Sequence, residues 1–249
     1  MSDSGHGRPN GESKPPLDIL ERGGRTDGAP ETLDHRLFVR LQCFTVRGDV
    51  DAAVASLHDG LAAAGAGHVI YSDVHDPRGI GVLTWAVDAR HFVDTVRPVM
   101  QRAEGLTLRP ELAMLGRTYA VGYEKDLPFW LVERPQANVT KPDWPWAVWY
   151  PLRRKGGFNL LDRTERMGML REHGAIGRAF GEAGLATDVR LACHGLDPHD
   201  NDFVIGLIGQ ALDPLSKVVE AMRGTRQTSE WMESLGPFFV GLATVQHRG

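Results

Sequence analysis

The stretch that decides the fold runs from Trp144 to Phe180 and reads WPWAVWYPLRRKGGFNLLDRTERMGMLREHGAIGRAF. It joins an aromatic segment ending in Tyr150-Pro151, a basic cluster and a segment with helical periodicity. Because proline cannot donate a ladder hydrogen bond, we expect the aromatic strand to end near Tyr150. We interpret the rest of the chain as scaffold around this stretch.

The helix predicted over residues 163–182 carries a histidine within its apolar stripe. Asp162 is a suitable N-cap residue, with Glu165 three positions later as its capping partner. Beyond it, one series recurs at three- and four-residue steps: Met167, Leu170, His173, Ile176 and Phe180. Two interpretations of His173 stay open. It is a core histidine bonded to a carbonyl group, or a neutral imidazole presented to a haem iron in an apolar pocket.

Aromatic and basic residues follow each other closely before that helix. Four aromatic residues lie within seven positions, namely Trp144, Trp146, Trp149 and Tyr150. Such density suits a core strand or a wall for a large flat apolar ligand. The basic residues come directly afterwards, namely Arg153, Arg154 and Lys155. They form a solvated charged run or, beside an aromatic wall, a site for ligand carboxylates, which suit the bidentate fork of arginine.

Composition restricts the classes of function. The 249 residues are 42% hydrophobic, enough for one large domain or two small ones. A net charge of −4 argues against nucleic acid as a partner. Cys43 and Cys193 lie far apart in apolar segments, so we expect buried free thiols and a cytoplasmic location. We expect neither a membrane span nor an export signal, because no apolar run has the required length or position.

One order of elements occurs twice along the chain. Residues 1–33 are polar and rich in Gly and Pro, so we expect a disordered tail. Residues 34–137 predict the order strand, helix, strand, strand, helix, strand of a ferredoxin-like unit, and residues 138–249 repeat it. A linker rich in Pro and charge is expected at 124–142. The fold class is therefore α+β, with two ferredoxin-like repeats forming a dimeric α/β barrel within one chain.

Motifs of the second half resemble a known family. They are W-Y-P-L-R-R at 149–154, R-M-x-M-L-R-E-H-G-x-I-G-R-A-F at 166–180, and the later runs G-L-D, D-F-V-I-G-L, M-R and G-P-F-F-V-G. This pattern resembles the chlorite dismutase family and is most similar to its coproheme decarboxylases, which are hydrogen peroxide-dependent haem synthases. The resemblance implies the barrel fold, a haem-dependent oxidoreductase and a ring-like homo-pentamer.

The resemblance gives roles to the central residues. His173 matches the proximal haem ligand of the family. Tyr150 matches the radical-forming tyrosine of the decarboxylases. Such a phenol gives one electron and one proton to an oxidised haem and then takes hydrogen from a propionate, so that loss of carbon dioxide leaves a vinyl group. Arg154 lies where the family has a basic residue near the propionates, with Arg153 and Lys155 as neighbours.

Further partners are expected because iron coproporphyrin III carries four carboxylates. Arg117 and Tyr119, on a first-half strand, are candidates to bind them. Ser229, or Thr228 if the gap lies elsewhere, matches a family serine that contacts a propionate. The alternative for such a hydroxyl is an ordinary surface position on a helix.

The distal side departs from the family pattern. The spacing after the ligand helix is longer than in the relatives, and only GGFNLL replaces a Trp-rich stretch before it. Strand alternation places four residues on one face, namely Asp188, Arg190, Ala192 and His194. If that face looks at the haem, Arg190 or His194 is the polar distal group. Arg190 would stabilise a bound anion or help to polarise peroxide; otherwise it lies on the solvent face.

Three hypotheses for function follow. The first is peroxide-dependent oxidative decarboxylation of iron coproporphyrin III (coproheme) to haem b in haem biosynthesis. The second is chlorite dismutation or a peroxidase-like reaction by a permanently bound haem b, which would need Arg190 but not Tyr150. The third is a haem-binding or transfer protein, or a barrel without a cofactor, which would turn over neither oxidant.

Overall fold

A computed structural model describes residues 17–26 and 28–249. The strands are β1 (Glu21–Thr26), β2 (Ala29–Leu33), β3 (Phe38–Val46), β4 (His68–Asp73), β5 (Gly79–Ala86), β6 (Leu106–Leu108), β7 (Met114–Arg117), β8 (Trp146–Arg154), β9 (Thr187–Ala192), β10 (Phe203–Gly209), β11 (Met232–Leu235) and β12 (Phe239–His247). The α-helices are α1 (Val50–Ala63), α2 (Arg97–Arg102), α3 (Arg134–Val139), α4 (Arg163–Glu182), α5 (Leu212–Arg223) and α6 (Arg226–Trp231). None of the helices in these described ranges has the length and apolar character needed to cross a membrane.

The large sheet closes on itself. Its strands follow the order β10-β9-β7-β3-β5-β4-β12-β8-β11, and a further pairing of β10 with β8 completes a ring of eight strands. The first half contributes β7-β3-β5-β4 and the second half β9-β10-β8-β12, and each set has the strand order of a ferredoxin-like unit. The predicted fold of two such units joined into one barrel is confirmed.

Large aromatic side chains fill the barrel interior. Trp149 is fully buried there, close to Tyr71 and Phe239. Glycines on nearby strands make this packing possible, since a Cβ on Gly206 would lie 2.5 Å from the Trp149 ring and one on Gly81 would lie 2.5 Å from Phe239. The interior is therefore a packed core.

The two cysteines belong to this core. Cys43 and Cys193 are both buried free thiols, as predicted. Burial raises the pKa of each thiol, and Asp73 adds to the effect at Cys43. Neither thiol is therefore set up as a nucleophile.

Strand β8 does not end at Tyr150, so this sequence expectation was wrong. It continues through Pro151 to Arg154. Pro151 lies where pairing with β12 has ended and pairing with β11 has not yet begun. Its carbonyl accepts from the Gly236 amide on that side, so its nitrogen also faces the gap between these two strands. No ladder bond is lost, and the side chains keep alternating as far as Arg154.

The segment predicted to be a linker, 124–142, is largely helical. A π-helical turn at Phe129–Glu133 leads directly into α3. Buried residues recur here at every fourth position, namely Leu127, Leu131, Pro135 and Val139. This spacing was present in the sequence but was obscured by the prolines and charges. The domain boundary expected between 137 and 138 falls inside α3.

Strands β1 and β2 pair as an antiparallel hairpin, although the sequence suggested a disordered tail to residue 33. Glu21 binds Arg36 at 2.6 Å, Arg117 at 2.9 Å and the Ala120 amide at 2.9 Å. The hairpin is therefore fixed by long-range ionic contacts, which local composition does not reveal. Residues 1–16 of the expected tail lie outside the described residues.

Candidate functional site

Tyr150 lies on the outer face of strand β8, away from the barrel interior. Side chains alternate along a strand, and its neighbour Trp149 points into the core. Tyr150 packs instead among apolar residues of helices α4 and α5, including Phe180 and Val218. Its ring is stacked on Phe238, with centroids 4.8 Å apart. The predicted aromatic wall is thus divided between two faces, and helices cover the outer one.

The strand register places Arg190 on the same outer face. Tyr150 pairs with Ile205 of β10, and Ile205 pairs with Arg190 of β9. Two strand spacings separate the first and last members of this row, or about 10 Å between Cα atoms. Strand alternation in the sequence related Arg190 only to other residues of its own strand. The register of the sheet shows that it lies in the same row as Tyr150.

Helix α4 carries His173 above this face. Its bounds and its N-cap, where Asp162 accepts from the Thr164 amide, agree with the sequence prediction. His173 lies on the same side of the helix as Phe180, which packs into the Tyr150 cluster. Burial lowers the pKa of His173 to about 4, and the positive charge of Arg154 contributes to the shift. The imidazole is therefore neutral at neutral pH, which is the form that binds a metal ion.

Arg154 is brought to this site from the basic cluster. Its guanidinium lies between the rings of Phe158 and Phe203, at 4.7 and 4.6 Å from their centroids. Its Nε is buried without a hydrogen-bond partner among the described residues. Burial lowers the pKa of Arg154, but the group stays charged at neutral pH. A buried, unpaired cationic donor is costly, so this position favours an anionic ligand.

The structure does not bring Arg153 and Lys155 to the site. Arg153 faces the other side of β8 and binds the carbonyl of Asp200 at 2.8 Å and its carboxylate at 2.9 Å. Lys155 donates to the carbonyl of Glu230 at 2.7 Å. Both residues fix neighbouring loops, and alternation along the longer strand explains why only Arg154 shares the face of Tyr150.

Two of the distal candidates, Arg190 and Asp188, are already in ion pairs. The Arg190 guanidinium lies 3.6 Å from Glu124 and 3.5 Å from Asp188. Asp188 also binds Arg134 at 2.8 Å. His194 is more exposed and lies against the edge of the Phe203 ring. Arg190 is therefore the distal candidate that the fold holds in place.

The two candidates from the first half of the chain, Tyr119 and Arg117, lie in different places. Tyr119 lies beside Phe203, with centroids 5.5 Å apart, and burial raises its pKa against the opposing effect of Arg190 and Arg154. It therefore joins the outer-face site. Arg117 instead binds Glu21 of the hairpin and lines a separate cleft of about 390 Å³.

A hydroxyl group does approach His173, but it belongs to Thr225. Thr225 Oγ1 lies 3.4 Å from Nδ1 of His173. The expected Ser229 is exposed, and its hydroxyl donates to the Thr225 carbonyl at 2.9 Å. Thr228 contacts Thr225 rather than the histidine. Thr225 is the N-cap of α6, a position where threonine is preferred, and this preference is the feature of the sequence that could have identified it.

The family model for chlorite dismutase matches residues 82–244. The chain belongs to the chlorite dismutase family. Solved structures with the same fold include a haem-binding protein from Thermus thermophilus, with 18% identity and a TM-score of 0.65 over 84% of this chain and 91% of that one. Another is chlorite dismutase from Candidatus Nitrospira defluvii in complex with imidazole, with 14% identity and a TM-score of 0.64 over 86% and 93%. No curated protein matches.

The outer face of this chlorite dismutase family member has groups that fit an iron porphyrin. His173 offers a neutral imidazole, and buried apolar side chains around Tyr150 offer contact for a flat macrocycle. Near Phe158, two of the buried donors that lack partners among the described residues are Arg154 Nε and Trp231 Nε1. Such donors suit propionate carboxylates.

Proposed function

We propose that the protein converts iron coproporphyrin III to haem b by oxidative decarboxylation with hydrogen peroxide. The observation that carries this proposal is the position of Tyr150 and Arg154 on one face of β8, where Phe180 of the His173 helix packs into the Tyr150 cluster and the charge of Arg154 acts on His173. A ligand for iron, a phenol and a cation for carboxylates can then act on one porphyrin. Membership of the chlorite dismutase family supports the use of haem chemistry.

The reaction balances with one peroxide for each propionic acid group. The group loses carbon dioxide and becomes a vinyl group, and its two electrons and two protons reduce one hydrogen peroxide to two water molecules. Two of the four propionates react in turn. The bound iron porphyrin supplies the redox reaction with peroxide and is itself the substrate.

Tyr150 is the group that takes hydrogen from the propionate. Burial raises the pKa of the Tyr150 phenol, so it keeps its proton at neutral pH. A protonated phenol can release an electron and a proton together and afterwards accept a hydrogen atom. The stack on Phe238 holds the ring in one orientation.

Arg154 is the group that binds and orients a propionate. Its Nε has no hydrogen-bond partner in the described part of the chain, and its place between Phe158 and Phe203 makes it a rigid donor for a carboxylate. A charge-assisted bond of this kind is about twice as strong as a neutral one.

Chlorite dismutation is the second candidate, because Arg190 lies on the same face as Tyr150. That reaction would need the Arg190 guanidinium to be available to an anion. In this structure the guanidinium has Asp188 and Glu124 as ionic partners. Because the Arg190 guanidinium is already paired, it is less available to chlorite, and this favours decarboxylation over chlorite dismutation.

The test is a mass-resolved assay. The protein is loaded with iron coproporphyrin III, hydrogen peroxide is titrated, and pigment mass is followed beside the Soret band. We expect stepwise loss of two carboxyl groups, abolished in Tyr150→Phe and kept in Tyr71→Phe, a buried tyrosine of the barrel interior.

Other outcomes would reject the proposal in different ways. Binding without a change of mass would contradict decarboxylation and lead to chlorite assays with Arg190→Ala. Absence of binding would indicate a barrel without a cofactor and would make His173 a core histidine.

We also propose a cytoplasmic homo-pentamer. The resemblance to long-chain family members supports the ring, and the buried free thiols of Cys43 and Cys193 suit a reducing compartment. Analytical ultracentrifugation of the full chain tests the assembly, and a sedimentation mass of one or two chains would contradict it.

A further inference from the structure

Thr225 lies buried where helices α4, α5 and α6 meet. Its Oγ1 accepts from the Thr228 amide as the N-cap of α6. Its hydroxyl donates to the carbonyl of Met222, near the end of α5, at 2.8 Å. The same oxygen lies 3.4 Å from Nδ1 of His173 on α4. One side-chain oxygen therefore connects three helices at the position of the histidine.

The direction of these bonds determines the tautomer of His173. A threonine hydroxyl has a single proton to donate. The Met222 carbonyl at 2.8 Å is a closer acceptor for it than Thr228 Oγ1 at 3.3 Å. Thr225 Oγ1 can then only accept from the imidazole, so Nδ1 of His173 carries the proton. Nε2 is left with the lone pair that binds a metal ion.

The partner of Nδ1 also determines how strongly the imidazole donates to a metal. A carboxylate at this position makes a histidine ligand more basic, whereas a neutral hydroxyl has no charge to do so. Thr225 Oγ1, at 3.4 Å from Nδ1, is such a neutral hydroxyl, so His173 is a neutral ligand whose basicity this partner does not raise.

We infer that Thr225 is the positioning residue of His173: it accepts from Nδ1, fixes the Nδ1–H tautomer and leaves the Nε2 lone pair for a metal ion, and among the described residues it puts a hydroxyl rather than a carboxylate at Nδ1. The role towards iron rests on the proposed function. The tautomer is a property of the protein alone and is tested separately.

The first experiment uses the haem-free full chain. Nitrogen-15 NMR of the histidine side chains identifies which ring nitrogen of His173 carries the proton. We expect the Nδ1–H form at neutral pH, a mixture of tautomers in Thr225→Val and the original form in Thr225→Ser. The matched control is Ser229→Ala, which removes a hydroxyl of the same helix that bonds the Thr225 carbonyl. An Nε2–H form in the unmodified protein would overturn the inference.

The second experiment uses the protein loaded with haem. Loss of a partner that orients a ligand weakens metal binding roughly 10- to 100-fold, so we expect Thr225→Val to weaken haem binding by that factor and Thr225→Ser to restore it. Thr225→Asp places a carboxylate at Nδ1, and we expect a more negative iron midpoint potential. Thr225→Ser also controls for the helix cap, which Thr225→Val removes along with the contact to His173.

The outcomes separate this inference from the proposed function. If His173→Ala abolishes haem binding while Thr225→Val and Thr225→Asp change neither affinity nor potential, the role of Thr225 is wrong and the ligand assignment stands. If His173→Ala binds haem unchanged, the ligand assignment fails. The NMR result on the haem-free protein then still decides the tautomer.

Discussion

Tyr150 of β8 and Arg190 of β9 lie in one row on the outer face of the barrel, with Ile205 of β10 between them. The two residues are therefore two strand spacings apart on the same face. This separation lets them act on different parts of one ligand lying over the row. It also means that a change at either residue leaves the other in place.

Replacing Tyr150 with Phe removes the hydroxyl and keeps the ring. Because the stack on Phe238 and the apolar contacts remain, we expect the free energy of unfolding to change by less than about 1 kcal/mol. Decarboxylation should nevertheless be lost. Urea unfolding and the mass-resolved assay check the two parts, and a destabilised variant with residual activity would indicate a structural role instead.

Arg154 and Arg153 form a matched pair, since they are adjacent and point to opposite faces of β8. We expect Arg154→Ala to weaken binding of iron coproporphyrin III by about 10- to 100-fold, because a hydrogen bond to a charged group contributes about 1.5–3 kcal/mol. Arg153→Ala should bind it as the unmodified protein does.

Absorbance titration at the Soret band measures the affinities of this pair. Circular dichroism checks that both variants are folded. Equal losses for both variants would contradict a specific role of Arg154.

These two arginines also show what the sequence could and could not reveal. Helix α4 was predictable to its end residues, because its periodicity and its cap at Asp162 are local. The extension of β8 through Pro151 depends on which strands flank it, and these come from distant parts of the chain. Without that extension, alternation could not separate Arg153 from Arg154.

Thr225 was missed for a related reason. It lies 52 residues from His173 in sequence, and only the packing of α4 on α6 brings them together. Ser229 was expected from a family motif, but one further turn of α6 turns its hydroxyl to the Thr225 carbonyl. The sequence could thus predict a hydroxyl near the site, but it could not predict which residue of α6 carries it.

Protonation of His173 should limit haem binding at low pH. Its pKa of about 4 lies below the ordinary value of 6.5, mainly because of burial. The imidazole is neutral above the lowered pKa, so affinity should be constant from pH 8 to about 5.5 and fall towards pH 4 as the ring takes up a proton. Haem titrations across this range check it. A loss of affinity centred near pH 6.5 would show that the site leaves the histidine pKa unshifted.

The interior glycine Gly206 gives a prediction about the barrel itself. A Cβ there would lie 2.5 Å from the fully buried Trp149 ring, so Gly206→Ala should destabilise the protein by about 1–3 kcal/mol through overpacking. Gly168→Ala on α4 is the matched control. No atom of residues 17–26 or 28–249 that could clash lies within 4 Å of its added Cβ, and alanine favours a helix over glycine by about 1 kcal/mol. We expect Gly206→Ala to lower the urea midpoint and Gly168→Ala to raise it. Equal shifts for both variants would contradict the packing argument.

His68 is a fully buried histidine and couples stability to pH. It lies against His58 and His247, with ring centroids 5.3 and 5.1 Å away, and its Nδ1 is bonded to the Ala66 carbonyl at 2.7 Å. Burial lowers its pKa from 6.5 to about 4, and the two neighbouring histidines add to the shift. The unfolded chain therefore takes up a proton at a higher pH than the folded one.

The sign of the effect follows from this difference. Stability from His68 is complete above pH 6.5 and is lost as the pH falls towards 4, by about 3 kcal/mol in total for a shift of this size. We expect the free energy of unfolding in urea to decline over this window and His68→Gln to flatten the decline. His35→Gln, at an exposed position, should leave the slope unchanged. A slope that His68→Gln leaves intact would assign the pH dependence to other groups.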